Sequence, residues 1–129
     1  MSDKSSILKA FNTHFFDFLD DILRIFPENT DIATAKRSFE TIKKANPTAI
    51  LKVWAQYVYG QYKDVIDAGN INFFFEKDYG SELNNLANGG DIMKMIDIMR
   101  EPVRHMSDVN KAHSMKYIQN LSKLSMLYK

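Results

Sequence analysis

Pro47-Thr-Ala-Ile-Leu-Lys-Val-Trp-Ala-Gln-Tyr-Val-Tyr-Gly-Gln-Tyr-Lys-Asp-Val-Ile-Asp67 is the most apolar stretch of the chain, and the fold class turns on it. Ile50, Leu51, Trp54, Tyr57, Val58, Tyr62, Val65 and Ile66 fall on one broad stripe at helical spacing, and Val53 and Tyr59 widen it. A helix apolar around more than half its circumference lies centrally among other helices. This one is therefore expected to be the core helix. Asn46 reads as its N-cap, with Pro47 at the first helical position, where a missing N–H costs nothing. Gly60 either permits a close neighbour or weakens the turn. Ala68-Gly69-Asn70 reads as a C-cap and turn.

The flanking segments carry the same periodicity. Over Ser5–Phe26, apolar residues at 7, 8, 11, 15, 18, 19, 22, 23 and 26 mark an amphipathic helix capped by Ser5 or Ser6 and ended by Pro27. A second helix begins at Thr30 or Asp31, with Ile32, Ala35, Phe39 and Ile42 inward and Lys36, Arg37, Glu40, Lys43 and Lys44 opposite. Residues 70–90 are less regular. Ile71, Phe73, Phe74, Phe75 and Tyr79 crowd together, and Gly80-Ser81-Glu82 opens a short helical turn closed by Asn88-Gly89-Gly90. Asp91 caps a helix that continues, kinked at Pro102, to Met106. The last helix runs from Ser107 or Asp108 to Leu127, with Val109, Ala112, Ile118, Leu121, Leu124 and Leu127 setting its period. No strand pattern and no repeat is present. The expected architecture is an all-α single domain over 1–129, a compact bundle or orthogonal array of about five to six helices.

Composition narrows the class further. With 45% hydrophobic and 26% charged residues, the chain has the balance of a globular domain. The absence of cysteine removes disulfides, thiolate nucleophiles and cysteine-based zinc sites together. No run of 18 apolar residues occurs, so no membrane span is expected. The polar start, Met1-Ser-Asp-Lys-Ser-Ser6, lacks the apolar core of a secretory signal. Net charge is +1, far from the positive excess of a dedicated duplex binder. The charge is uneven, however. Residues 1–31 hold six acidic and three basic groups, whereas residues 92–129 hold seven basic and three acidic.

Side chains able to do chemistry are scattered. His14, His105 and His113 are not spaced to place two imidazoles one turn apart, and each reads as a surface or boundary residue. Asp17, Asp20 and Asp21 form an acidic patch with no matching carboxylate helix, which is the pattern of a solvated face. Gly89-Gly90 precedes Asp91, whose charge would repel an anion at that helix start. No phosphate-binding loop or nucleophile elbow is present. These observations predict a non-enzyme with no cofactor, no metal and no evident small-molecule substrate.

Two surfaces stand out instead. Phe73, Phe74 and Phe75 are consecutive, so at least one ring must point away from the core that buries the others. With Tyr79 they are the candidate partner-binding anchor, for a protein partner or for self-association. The alternative is nucleic-acid contact through Lys36, Arg37, Lys43 and Lys44, together with Lys116 and Lys123, which share a face of the last helix. The methionines at 93, 95, 99, 106, 115 and 126 read as adaptable core filler.

Phe15-Phe-Asp-Phe-Leu-Asp-Asp-Ile-Leu-Arg-Ile-Phe-Pro27, Phe73-Phe-Phe-Glu-Lys-Asp-Tyr79 and Tyr117-Ile-Gln-Asn-Leu-Ser-Lys-Leu-Ser125 together resemble small uncharacterised helical proteins of nucleocytoplasmic large DNA viruses. The resemblance implies a viral product, a minor virion component residing in the virion or the infected-cell cytoplasm. Without it, the expected setting is cytoplasmic rather than secreted. It transfers no site residue. Joined to the residue-level reading, it predicts a structural or adaptor protein acting through protein–protein contacts.

Overall fold

The chain starts its first helix on a carboxylate. Oδ1 of Asp3 accepts the Ser6 N–H at 2.7 Å, so Asp3 is the cap in place of the expected Ser5 or Ser6, and α1 spans Lys4–Ile25. The computed structural model describes residues 3–70, 98, 99 and 101–128, and of Gln61 the backbone alone. The fold is all-α, with no strand among the described residues. The expectations for 71–97, including the aromatic segment, the Gly80 and Asn88 turns and the Asp91 cap, lie outside the described residues. So does Arg100, next to the expected kink at Pro102; residues 98, 99 and 101–104 are helical.

Helix α2 spans Thr30–Ala45, and its cap is Asn29, whose Oδ1 accepts the Ile32 N–H at 3.0 Å. The expected Thr30 and Asp31 sit too late in the chain, because the cap must lie outside the helical turn it closes. The core helix likewise begins at Ala49 rather than at Pro47. Asn46 folds its side chain onto Thr48, accepting from both its N–H and its hydroxyl. The Pro47 carbonyl is taken by Asn12 Nδ2 of α1 at 3.0 Å, which fixes that turn to the first helix.

The core helix is not uniform. It runs as α3 (Ala49–Val53), a π-helical segment of six residues (Trp54–Tyr59) and α4 (Gly60–Ala68). Ile50, Trp54, Val58, Tyr62 and Ile66 are all buried, each four residues after the last. In an α-helix each step of four overshoots a turn by about 40°, so these five would wind about 160° around the axis. The wider π turn takes up an extra residue, which returns about 100° of that drift. Non-helical angles at Tyr62 (φ −125°, ψ 28°) accompany the correction. The stripe thus keeps facing one side. Gly60 closes the π turn, donating its N–H to the Ala55 carbonyl. Gly69, at φ +68°, ends α4 in the left-handed conformation, and the Asn70 N–H reaches back to the Val65 carbonyl at 3.0 Å.

Helix α5 spans Asp108–Leu127, the later of the two expected starts, and Ser107 caps it. Its buried side is the expected one only in part: Ile118 and Leu121 are buried and Leu124 packs against the core, while the other three expected positions face outward. Ser114, Met115, Ile118, Leu121, Ser122 and Ser125 face the core, whereas Val109 and Leu127 are 67% and 62% exposed and Ala112 is exposed. Small hydroxyl side chains let α5 lie close to its neighbours, and each is partnered. Ser122 donates to the Ile118 carbonyl at 2.8 Å, Ser125 to the Ser122 carbonyl at 2.7 Å, and Ser114 to Met106 Sδ at 3.4 Å. Met99, Met106 and Met115 are core filler, but Met126 is exposed.

Trp54 is the meeting point. Its ring is fully buried and stands edge-on to Phe11 and Phe15, each at 6.2 Å, and Phe15 in turn meets Phe39 of α2 at 4.8 Å. Its Nε1–H donates to Ser122 Oγ of α5 at 3.0 Å. Contacts along the helices set their directions. Phe15 meets Phe39, Phe16 meets Lys43, and Asp20 meets Lys36, so α1 and α2 are antiparallel. Lys4 lies over Tyr128, while His14 and Phe18 lie on Tyr117, so α1 and α5 are antiparallel as well.

A β-carbon on Gly60 would stand 2.9 Å from the Ala55 carbonyl oxygen, a distance the helix cannot accept unmoved. Gly60→Ala is therefore expected to destabilise the protein by about 1–3 kcal/mol in urea unfolding. An ordinary helical glycine would give the opposite sign, a gain of about 1 kcal/mol.

Candidate interaction surface

Antiparallel packing of α1 on α2 leaves a groove of about 410 Å³ on the surface. Thr13, Phe16, Asp17 and Asp20 line it from α1, and Lys36, Glu40, Lys43 and Lys44 from α2. Phe16 is half-buried at its floor, with its ring edge-on to Phe15 at 5.8 Å, so the groove reaches down to the aromatic core. The Lys43 ammonium lies 5.1 Å from the Phe16 ring centre, within cation–π range. Lys36 pairs with Asp20 across the groove, and that hydrogen bond raises the lysine pKa. Asp17, Glu40 and Lys44 form no ion pair with any described residue.

The structure brings only part of the expected basic surface together. Lys36, Lys43 and Lys44 share the groove, while Arg37 is exposed on α2 outside its lining. Lys116 and Lys123 are exposed on α5. On α1 the groove residues 13, 16, 17 and 20 centre on one side, and His14 and Phe18, on which α5 packs, centre about 130° away. The two basic faces are thus separated by α1. Phe73, Phe74, Phe75 and Tyr79 lie outside the described residues.

The acidic patch divides too. Asp17 and Asp20 belong to the groove, whereas Asp21 is bound to Arg24 at 2.7 Å. Glu40 appears in the sequence as part of a basic face, and Phe16 in no apolar stripe at all. An aromatic ring out of register beside two carboxylates is the signal in the sequence that points to the groove. A second charged cluster lies on α4, where Asp67 accepts from Lys63 Nζ at 2.7 Å and from the Tyr59 hydroxyl at 2.9 Å, both lowering its pKa. Among the described residues no group of three or more acidic, histidine or cysteine side chains could hold a metal ion. No described helix is long and apolar enough to cross a membrane. Against protein families, curated proteins and solved structures, the chain shows no match.

His105 and His113 are exposed, and His105 Nε2 lies 3.1 Å from Glu101. His14 is a boundary residue of a particular kind. Its ring lies 4.7 Å from that of Tyr117, between α1 and α5, and its Nε2 is buried with no hydrogen-bond partner. Burial lowers its pKa and the Asp17 carboxylate opposes this in part. Because the folded pKa lies below the unfolded one, the unfolded chain binds the proton more readily, and stability falls as pH drops below about 6.5. Urea unfolding from pH 8 to pH 5, a span bracketing that ordinary histidine value, should show this loss in the wild type and a flatter profile in His14→Gln. Equal slopes in the two proteins would show that His14 does not contribute.

Proposed function

We propose that this chain is a non-enzymatic structural or adaptor protein that works through protein–protein contacts, as a minor virion component of a large DNA virus. The observation that carries the contact reading is the α1–α2 groove. It offers a half-buried aromatic ring within a charged rim, and some of those charges have no ion pair among the described residues. Protein interfaces are built this way, around an aromatic anchor with polar groups at the edge. The likeness of residues 15–27, 73–79 and 117–125 to small proteins of large DNA viruses is what supports a viral setting. The aromatic segment 73–79 remains part of this proposal as a second anchor.

The nucleic-acid alternative has less support. Its lysines on α2 share their opening with Asp17, Asp20 and Glu40, which would repel phosphate, and Lys36 is already paired. Placing a photo-cross-linking side chain at Thr13, in the groove, and separately at Asn120, on the outer face of α5, tests the reading in the native setting. Position 13 should give a protein adduct identifiable by peptide mass, and position 120 none. Adducts to nucleic acid alone, or none from the groove, would overturn the proposal, and absence of the chain from purified particles would remove its virion part.

A further inference from the structure

The walls of the α1–α2 groove differ in sign. Asp17 and Asp20 project from α1, and Lys36, Lys43 and Lys44 from α2, with Glu40 the one carboxylate on that side. Three acidic and three basic side chains therefore share one opening, and their charges cancel. A groove of a single sign would repel its own copy and select an oppositely charged partner. A neutral groove with one acidic and one basic wall selects a surface with the same arrangement reversed, and a two-fold rotation of the groove supplies that surface.

We propose that the α1–α2 groove is a self-association surface that closes, about a two-fold axis, on the same groove of a second copy of this chain. The proposal rests on reading the groove as a protein-contact surface, and it names the partner. The antiparallel helices place Phe16 and Asp17 opposite Lys43 and Lys44 at one end, and Asp20 opposite Lys36 towards the other. Rotation about an axis lying along the mouth, parallel to the two helices, exchanges the walls. Asp17 of one protomer then meets Lys44 of its partner, and Lys44 of the first meets Asp17 of the second. Neither group forms an ion pair with a described residue. The half-buried Phe16 rings, on the floors of the facing grooves, are covered at that same end.

Sedimentation equilibrium on the purified full chain tests this. The wild type should show a concentration-dependent dimer that weakens as salt rises, because charge pairs at a rim are screened. Asp17→Lys and Lys44→Glu should each weaken self-association by more than about tenfold, through like charges brought face to face. Both positions are exposed, so circular dichroism should remain helical in both variants. An equimolar mixture of the two variants should recover the dimer as a heterodimer. At positions 17 and 44 the D17K copy carries two positive groups and the K44E copy two negative ones, so each contact again joins opposite charges. A variant that had merely lost its fold would not be rescued by mixing. A wild type that stays monomeric up to about 1 mM, single variants that still dimerise, or a mixture that stays monomeric would each overturn the proposal. A groove that cross-links to a different protein while the isolated chain stays monomeric would also remove self-association, and would leave the contact reading standing.

Discussion

The buried N–H of Trp54 constrains the rest of this structure. A fully buried indole with no acceptor would cost about 1–3 kcal/mol, and the acceptor here is a serine hydroxyl 68 residues further along the chain. Satisfying it requires α5 to lie directly against the π segment, with Ser122 turned inward. That explains why α5 buries a serine at position 122, where a leucine would be usual. The same indole offers its faces and edges to Phe11 and Phe15, and through Phe15 the contact passes to Phe39. Helices α1 and α5 thus pack directly against one ring, and α2 reaches it through Phe15. The cost of ordering so many large side chains is met by burial of their apolar area rather than by any single bond.

The helices are legible from periodicity, and each departure has its own physical cause. Helix existence follows from apolar spacing along one segment, which a sequence displays. Helix starts depend on which side chain reaches back to a free N–H, so Asp3 and Asn29 cap where Ser5, Ser6, Thr30 and Asp31 are equally suitable by type. The π segment has a signal that a general stripe conceals. Beside the buried Leu51, residues 50, 54, 58, 62 and 66 repeat every four positions, a row that drifts steadily around a straight α-helix. Helix α5 departs from expectation at its two ends, while Ile118, Leu121 and Leu124 face inward as expected. Val109 and Leu127 fit the apolar rhythm, yet the tryptophan selects the serine side.

The groove is legible only in pieces. Its lysines are visible as the polar face of α2 and its aspartates as the polar face of α1. That the two faces share one opening is a fact of packing between helices, set by Phe15 on Phe39. Taken separately, the faces suggest a basic patch and a solvated acidic patch. Together they form a neutral surface with opposed walls and an aromatic floor.

The lone tryptophan has a spectroscopic consequence. The chain contains no other indole, and this one sits at 0% exposure where three helices converge. Its emission therefore originates from a single site, dry and flanked by rings, with a hydroxyl at its nitrogen. Any event that parts α5 from the π segment admits water there and breaks that bond. The protein carries an intrinsic optical gauge of its own closure, readable without a label.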